Sequence, residues 1–305
     1  MVSVREDPLP SAEQLRVWLQ TRPRVLDGAG AGELLRRGVA AAGHLWGVGA
    51  LLEAPDEVRR LHRDYAAAGA EVLTALTFRV APFTLRRHGL EDGAAELAAA
   101  AVRLAREGAA EAGREVLVFA SMTTLNDCYR PDLVPDDEVL LKEHAATAQI
   151  LAAAGADGLL LETFNTVREA VAALDAAIAT YLPVIVSFAC RSDGRLLSGE
   201  DVGVAAAAVS LPEVAAVGVN CTAVHDMLPA LAGQAEATLL PLAAWANNGF
   251  FAEDAPHLKA APLAPERYGR CALAWLAAGA RLLGGCCGTS PDHVAAVAAA
   301  LGGVP

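Results

Sequence analysis

The sequence is short of basic residues. It contains 24 lysines and arginines against 36 aspartates and glutamates, which gives a formal net charge of −12 at pH 7. Nucleic acids and anionic membrane surfaces both attract proteins through a basic face. The charge balance therefore argues against either of them as a partner.

Long uninterrupted apolar runs are also missing, although 54% of the residues are hydrophobic. No stretch of 18 residues lacks charges or turn formers, so we expect no transmembrane helix. Residues 1–10 are acidic and contain proline, and they have neither the basic start nor the apolar core of a secretory signal. These features predict a cytoplasmic protein.

No low-complexity linker divides the chain, and short apolar runs alternate with helical patterns from end to end. The strand candidates are residues 24–27, 71–77, 116–120, 158–162, 183–189, 214–220, 239–244 and 280–285. Strands that alternate with helices indicate a parallel sheet, and strands that are apolar throughout are typical of burial on both faces. Eight such units favour a single-domain α/β fold, the (β/α)8 TIM-type barrel, over an open doubly wound sheet. Residues 11–20 predict an extra helix at the N-terminal end of the barrel, so we divide the chain into a helical extension, 1–23, and the barrel, 24–305.

The six cysteines do not suggest a disulfide framework in a chain of this size and compartment. Two of them are adjacent in Gly284-Gly285-Cys286-Cys287-Gly288-Thr289, and Cys221 follows another predicted strand about 65 positions earlier. The carboxyl ends of barrel strands gather at one face, where the active sites of this fold lie. Three thiolates there suit Zn²⁺ in a catalytic site with an open fourth position. The alternative is a set of buried structural thiols.

Two cysteine motifs, Gly218-Val219-Asn220-Cys221-Thr222 and Gly284-Gly285-Cys286-Cys287-Gly288-Thr289, are followed by Pro291-Asp292-His293. Together they resemble the zinc-dependent homocysteine S-methyltransferases, and the resemblance extends from about residue 25 to residue 301. It implies a (β/α)8 barrel that transfers a methyl group to the sulfur of homocysteine and so forms methionine. Cys221, Cys286 and Cys287 would hold the zinc.

The resemblance also implies substrate-binding residues. Asp27 after the first strand and Glu162 of the Glu162-Thr163 pair are candidates for gripping the ammonium group of the acceptor through charge-assisted hydrogen bonds. Phe78, in the matching segment Thr77-Phe78-Arg79, and Asn220 complete the set. Asp27 could instead be a turn or cap residue, and Glu162 could pair with an arginine. Asn220 could also orient a metal ligand.

Two loops depart from the family pattern. Residues 28–32 form a glycine-rich loop without the methionine and threonine that are usual there, and its spacing does not fit a dinucleotide site. The segment 121–132 lacks the usual glycine and proline pattern. Both loops would line the substrate mouth, so the acceptor could be a thiol or selenol other than homocysteine.

The methyl donor follows from what the chain resembles. It looks like the short, sulfonium-dependent type, which uses S-methylmethionine or S-adenosylmethionine, because it has no cobalamin or folate modules and no extension of the betaine-dependent kind. The partners are thus a small thiol acceptor and a methyl donor. One alternative keeps the zinc chemistry with another acceptor or donor, and a second is a non-catalytic barrel that binds a metal or a partner. The sequence predicts no oligomeric state.

Overall fold

The computed structural model describes residues 10–249 and 261–302, and it contains eight parallel strands in one sheet. The strands are β1 (Arg24–Val25), β2 (Val72–Ala75), β3 (Leu117–Met122), β4 (Gly158–Phe164), β5 (Val184–Phe188), β6 (Val214–Ala223), β7 (Leu242–Asn247) and β8 (Ala280–Gly285). This is the predicted TIM-type α/β barrel. The parts of the predicted extension and barrel at 1–9, 250–260 and 303–305 lie outside the described residues.

The sheet closes into a barrel through a short contact. Hydrogen-bonded neighbours run in the order β1, β8, β7, β6, β5, β4, β3, β2. An isolated parallel bridge between Leu26 and Val72 joins the two remaining edges. The backbone N–H of Asp27 donates to the carbonyl oxygen of Val72 at 3.1 Å. The closure therefore fixes the backbone of Asp27 at the end of the first strand.

Helices occupy the intervals between the strands. They are α1 (Ala12–Thr21), α2 (Ala31–Arg36), α3 (Val48–Glu53), α4 (Pro55–Ala67), α5 (Pro82–Arg86), α6 (Ala94–Glu111), α7 (Asp137–Ala153), α8 (Val167–Ile178), α9 (Val202–Ala208), α10 (Met227–Ala237), α11 (Pro265–Ala277) and α12 (Pro291–Gly302). Side-chain caps explain where several of the helices begin. Ser11 forms a capping box with Gln14, and Asp136 and Thr166 accept bonds from the first turns of α7 and α8.

Alternate residues of each strand face two different hydrophobic cores. In β3, Val118 and Ala120 belong to the large core between the sheet and the helices, whereas Leu117 and Phe119 belong to a smaller core. The smaller core also contains residues of the other strands, such as Leu160 of β4 and Leu282 of β8. Inward and outward residues alternate along barrel strands, so a core shared by so many strands lies inside the barrel. The interior is thus packed with side chains.

Helix α1 closes the N-terminal end of this interior. Leu15 and Leu19 are buried in the same inner core as the strand residues. The guanidinium of Arg16 donates to the carbonyl oxygens of Pro212 and Val214, at 2.8 and 2.9 Å, beside the start of β6. The predicted helix is therefore present at the predicted end of the barrel, while the domain boundary at residue 23 stays a prediction.

The strand predicted at 239–244 lies three residues later, at Leu242–Asn247. Leu239 is fully exposed, and the hydroxyl of Thr238 accepts a hydrogen bond from the N–H of Leu240. The apolar Leu239-Leu240 pair thus belongs to a turn that precedes Pro241. The shift moves Asn247 to the end of β7. Among the described residues, no helix is both long and apolar enough to cross a membrane.

Candidate metal centre and acidic cavity

Three cysteine sulfurs meet at the carboxyl ends of β6 and β8. The Sγ atoms of Cys221, Cys286 and Cys287 all lie within 4.8 Å of one another, and those of Cys221 and Cys287 are 3.6 Å apart. All six cysteines of the chain are free thiols. The sequence prediction that residues 65 positions apart share one site is borne out by this geometry.

The backbone is constrained on both sides of the cluster. Cys221 has a φ of 47°, in the left-handed region that a side chain with a Cβ rarely adopts, and the pairing of β6 with β7 shifts register between Asn220 and Ala223. Such strained backbone is concentrated at functional sites. On the other side, Thr289 donates its hydroxyl to the carbonyl oxygen of Cys286 at 2.6 Å. These constraints aim the sulfurs at one point.

The cluster shares negative charge among its thiols. Hydrogen bonding with the thiols of Cys286 and Cys287 holds the pKa of Cys221 well below its usual range. The same interaction with Cys221 raises the pKa of Cys286 and of Cys287. Without a cation, one thiolate is therefore stabilised by two protonated neighbours. A cation that replaced those protons would stabilise all three as thiolates.

The donor set fits a tetrahedral metal that prefers sulfur. Ligands placed about 2.3 Å from Zn²⁺ at the corners of a tetrahedron are about 3.8 Å apart, close to the 3.6 Å that separates the sulfurs of Cys221 and Cys287. Polar groups surround the sulfurs. The hydroxyl of Tyr129 lies 2.9 Å from the Cys221 sulfur, and the side-chain amide of Asn247 lies 3.7 Å from it. Such contacts orient metal ligands in known sites.

Asp27 is buried beside the cluster, 3% exposed. Its carboxylate accepts hydrogen bonds from the backbone N–H and the hydroxyl of Thr74, at 2.7 and 2.9 Å. Burial nevertheless raises the pKa of Asp27 to about 8, and the charge of Glu162 adds to the effect. Asp27 is therefore neither a surface turn residue nor the cap of a helix.

Glu162 lies at the top of the barrel interior, 8% exposed. Its carboxylate accepts hydrogen bonds from the hydroxyl of Ser121 at 2.5 Å and from the indole N–H of Trp245 at 3.2 Å. Burial raises the pKa of Glu162 to about 7. No arginine bonds to it among the described residues, so the alternative of a pair with an arginine does not apply.

Asn220 connects three strands through its side-chain amide. Its Oδ1 accepts bonds from the N–H of Thr163 at 2.8 Å and from the hydroxyl of Ser187 at 2.7 Å. Its amide nitrogen donates to the hydroxyl of Thr163 at 2.8 Å and lies 3.4 Å from the carboxylate of Glu162. Thr163, like Cys221, has a positive φ, of 65°. Asn220 thus positions Glu162, and its predicted contact with substrate stays a prediction.

A cavity of about 110 Å³ brings the candidate residues together. Its lining includes Asp27, Glu162, Phe78 and the three cysteines, and also Trp46, Trp245, Tyr129 and Cys128. Two carboxyl groups thus face three sulfurs across a small space with aromatic walls. This arrangement can hold a cationic group against the acids and a sulfur atom against the cluster.

The glycines of the loop after β1 allow close packing. A Cβ at Gly28 would lie 2.8 Å from the hydroxyl oxygen of Thr289 and 2.9 Å from that of Tyr65. Thr289 in turn accepts a hydrogen bond from the N–H of Ala29 at 3.2 Å. The loop is therefore held against the turn that carries Cys286, and this close packing accounts for the glycine at position 28 without a phosphate.

Sequence reasoning missed four residues of the site: Thr74, Ser121, Tyr129 and Trp245. Three of them could have been predicted, because Thr74, Ser121 and Trp245 each follow an inward-facing strand residue by two positions. Those inward-facing residues are Val72, Phe119 and Ala243. The alternation of inward and outward side chains along each strand is the sequence signal that identifies them. Tyr129 lies in a loop, where no such period exists.

These features define a class of protein, a (β/α)8 barrel with a thiol-rich, metal-binding centre at its mouth. A family model described as homocysteine S-methyltransferase matches residues 24–301. The homocysteine S-methyltransferase of Escherichia coli K12 is 32% identical over 298 residues, which cover 90% of this chain and 94% of that protein. The chain belongs to the homocysteine S-methyltransferase family.

Two further similarities bear on the site. The metallated form of the homocysteine methyltransferase MmuM from Escherichia coli superposes with a TM-score of 0.80 at 30% identity, over 93% of this chain and 99% of that chain. The selenocysteine Se-methyltransferase of Brassica oleracea var. italica is 27% identical over 305 residues, 90% of this chain and 87% of that protein. Relatives of the chain thus include a metal-loaded enzyme and an enzyme named for a selenium substrate.

Proposed function

We propose that the protein is a zinc-dependent S-methyltransferase that moves a methyl group from a sulfonium donor to the thiolate of homocysteine. The observation that carries the proposal is the convergence of three cysteine sulfurs within 4.8 Å at the mouth of the barrel, beside two buried carboxyl groups. S-methylmethionine and S-adenosylmethionine are the candidate donors. The products would be methionine and a neutral thioether.

Cys221, Cys286 and Cys287 would hold the ion. Bound Zn²⁺ supplies a means of keeping the acceptor sulfur deprotonated at neutral pH, where a free thiol of pKa about 8.5 is only about 3% thiolate. The sequence motifs, the tetrahedral spacing and the metallated relative support zinc over cations that prefer oxygen ligands.

Asp27 and Glu162 would bind the ammonium group of the acceptor. Both carboxyl groups are buried and already accept hydrogen bonds from neighbouring groups, and an entering ammonium would give each a charge-assisted partner. An ammonium also favours their ionised forms and thus counteracts the effect of burial on their pKa values. Phe78 and Trp46 would cover the cavity and limit the access of water.

The transfer itself exchanges one bond for another. The bond between the methyl carbon and the donor sulfur breaks, and its electron pair stays on that sulfur as a neutral thioether. An electron pair of the acceptor thiolate forms the new bond to carbon. Opposite charges are neutralised without any change of oxidation state in the protein. The residues contribute mainly by aligning the two sulfurs and the carbon, where effective molarities are large.

The test is an assay of methylated product with a panel of acceptors and donors. The acceptors are homocysteine, selenohomocysteine, cysteine and selenocysteine, and the donors are S-methylmethionine, S-adenosylmethionine and glycine betaine. We expect the highest kcat/KM with homocysteine and a sulfonium. If no sulfonium methylates homocysteine, the proposal is wrong.

A selenol acceptor is the second candidate. It is favoured by the similarity to a selenocysteine Se-methyltransferase and by the altered loops at 28–32 and 121–132. The same panel decides between the two, because a higher kcat/KM with selenocysteine than with homocysteine assigns the site to selenium.

A further inference from the structure

A second cavity opens beside the first on the same face of the barrel. Its volume is about 410 Å³, and its lining includes Tyr129, Arg191, Ala223 and Asp226. Tyr129 also lines the acidic cavity, and its hydroxyl contacts the sulfur of Cys221. The two cavities thus share a wall residue that lies against the metal centre.

A hydrogen-bonded hairpin forms part of the wall of the second cavity. Cys190 forms an antiparallel bridge with Leu196, and the N–H of Arg191 donates to the carbonyl oxygen of Arg195 at 2.7 Å. The N–H of Cys190 also donates to the hydroxyl of Thr222 at 2.8 Å. Because Thr222 directly follows Cys221, the hairpin is fixed to the strand that carries a sulfur of the cluster.

The cavity presents one positive and one negative group. Arg191 pairs with Asp193 at 2.7 Å through one nitrogen, and a guanidinium has five N–H donors, so others stay available. Asp226 ends the 3-10 turn Val224–Asp226 that leads into α10, and its side chain accepts no bond from that helix. The carboxylate of Asp226 is thus not used by the helix it precedes.

We propose that this second cavity binds the amino-acid end of the methyl donor, with Arg191 contacting its carboxylate and Asp226 its ammonium group. The inference rests on the proposed function and goes beyond it by assigning a separate subsite to the donor. The acceptor's ammonium group would occupy the acidic cavity, so each reactant has its own charged anchor. The sulfonium would then reach the acceptor sulfur past the side of Tyr129. The donor class is a sulfonium that carries an α-amino acid group.

The test is steady-state kinetics of the zinc-loaded protein with three donors. S-methylmethionine and S-adenosylmethionine both carry the amino-acid end, whereas the trimethylsulfonium ion does not. In Arg191→Gln and Asp226→Asn, we expect the KM for the first two donors to rise at least about tenfold, because each variant loses one charged hydrogen bond to the donor. The kcat/KM for trimethylsulfonium, the KM for homocysteine and the zinc content should stay within about twofold of wild type, because none of them depends on this charged hydrogen bond.

Arg195→Gln is the matched control, because Arg195 belongs to the same hairpin but bonds to the carbonyl oxygen of Gly199 instead of lining the cavity. It should leave all three donors unaffected. An unchanged donor KM in both cavity variants would overturn the inference while the active wild type upholds the proposed function. An equal loss with trimethylsulfonium would also overturn it. A wild type that methylates nothing refutes the function itself.

Discussion

The hydroxyl of Tyr129 lies 2.9 Å from the sulfur of Cys221, across 92 positions of sequence. Burial raises the pKa of Tyr129 well above its usual range, so the hydroxyl keeps its proton and can donate it to the sulfur. This bond is one of the causes that lower the pKa of Cys221, after those from Cys286 and Cys287. It connects a loop that departs from the family pattern to the reactive cluster.

We therefore expect Tyr129→Phe to change the reactivity of Cys221 in the metal-free protein. Loss of the hydroxyl removes one hydrogen bond to the thiolate, so the pH profile of alkylation should move up by about one pH unit. Iodoacetamide labelling followed by mass spectrometry of the Cys221 peptide measures the shift. Tyr181→Phe, which alters a tyrosine that is 96% exposed, is the control. Superimposable profiles for Tyr129→Phe and wild type would show that the contact does not act on the thiolate.

Cys286→Ser should abolish stable metal binding. A serine hydroxyl is a much weaker zinc ligand than a thiolate, and two remaining sulfurs do not make a closed donor set. We expect about one zinc per chain in the wild type and a small fraction of that in the variant, as measured by inductively coupled plasma mass spectrometry. Cys271→Ser, in α11 and outside the cluster, should keep its zinc. Equal zinc in both variants would contradict the assignment.

Asp27→Asn and Glu162→Gln should each weaken acceptor binding by about 1.5–3 kcal/mol, the scale of a charged hydrogen bond. Zinc content should be unchanged, because neither carboxylate belongs to the sulfur cluster. Titration calorimetry with homocysteine measures the loss. The control ligand is 4-mercaptobutyrate, which lacks the ammonium group and should bind wild type and variants with similar affinity. An equal loss of binding free energy for both ligands would show that Asp27 and Glu162 do not bind the ammonium group.

The raised pKa of Asp27 also predicts how stability depends on pH. Between the usual pKa of an aspartate and about 8, the folded protein holds a proton that the unfolded chain has released. The contribution of Asp27 to stability is therefore present at low pH and is lost as the pH rises towards 8, by about 1.4 kcal/mol per pH unit. Asp27→Asn imitates the protonated carboxyl group and removes this dependence.

The measurement is urea unfolding of the metal-free wild type and Asp27→Asn between about pH 5.5 and pH 8, which lies within the range where the folded protein holds the proton of Asp27 and the unfolded chain does not. We expect the free energy of unfolding to fall less steeply with pH in the variant. Asparagine can still accept from the N–H of Thr74 and donate to its hydroxyl, so the variant should fold. Identical slopes would show that Asp27 is ionised in the folded protein at neutral pH.

The fold could be predicted because its signal is repeated. Each strand is a short apolar run, and a barrel strand is buried on both faces, so every unit carries the same pattern. The error at β7 arose where that signal is ambiguous: Leu239 and Leu240 are apolar but belong to a turn, and Leu239 is fully exposed. Apolar character alone does not tell a strand from the turn before it.

The site was predictable only where the topology brings strand ends together. Cys221 lies near the carboxyl end of β6, and Cys286 and Cys287 follow β8, so the barrel itself places them at one face. Ser121 and Trp245 bond to Glu162 because their side chains point into the barrel. Predicting this requires knowing which residues of a strand face inward, and not only that the strand exists. The contact of Tyr129 depends on the path of a loop, for which the sequence has no periodic signal.

Helix α1 gives the barrel a closed floor, since Leu15 and Leu19 fill the end opposite the sulfur cluster. Among the described residues, both cavities lie at the opposite face, so we expect reactants and products to pass through that face. A donor or product bound over the sulfur cluster would block the exchange of the acceptor in the acidic cavity. We therefore expect the release of products, and not methyl transfer alone, to contribute to the rate of turnover.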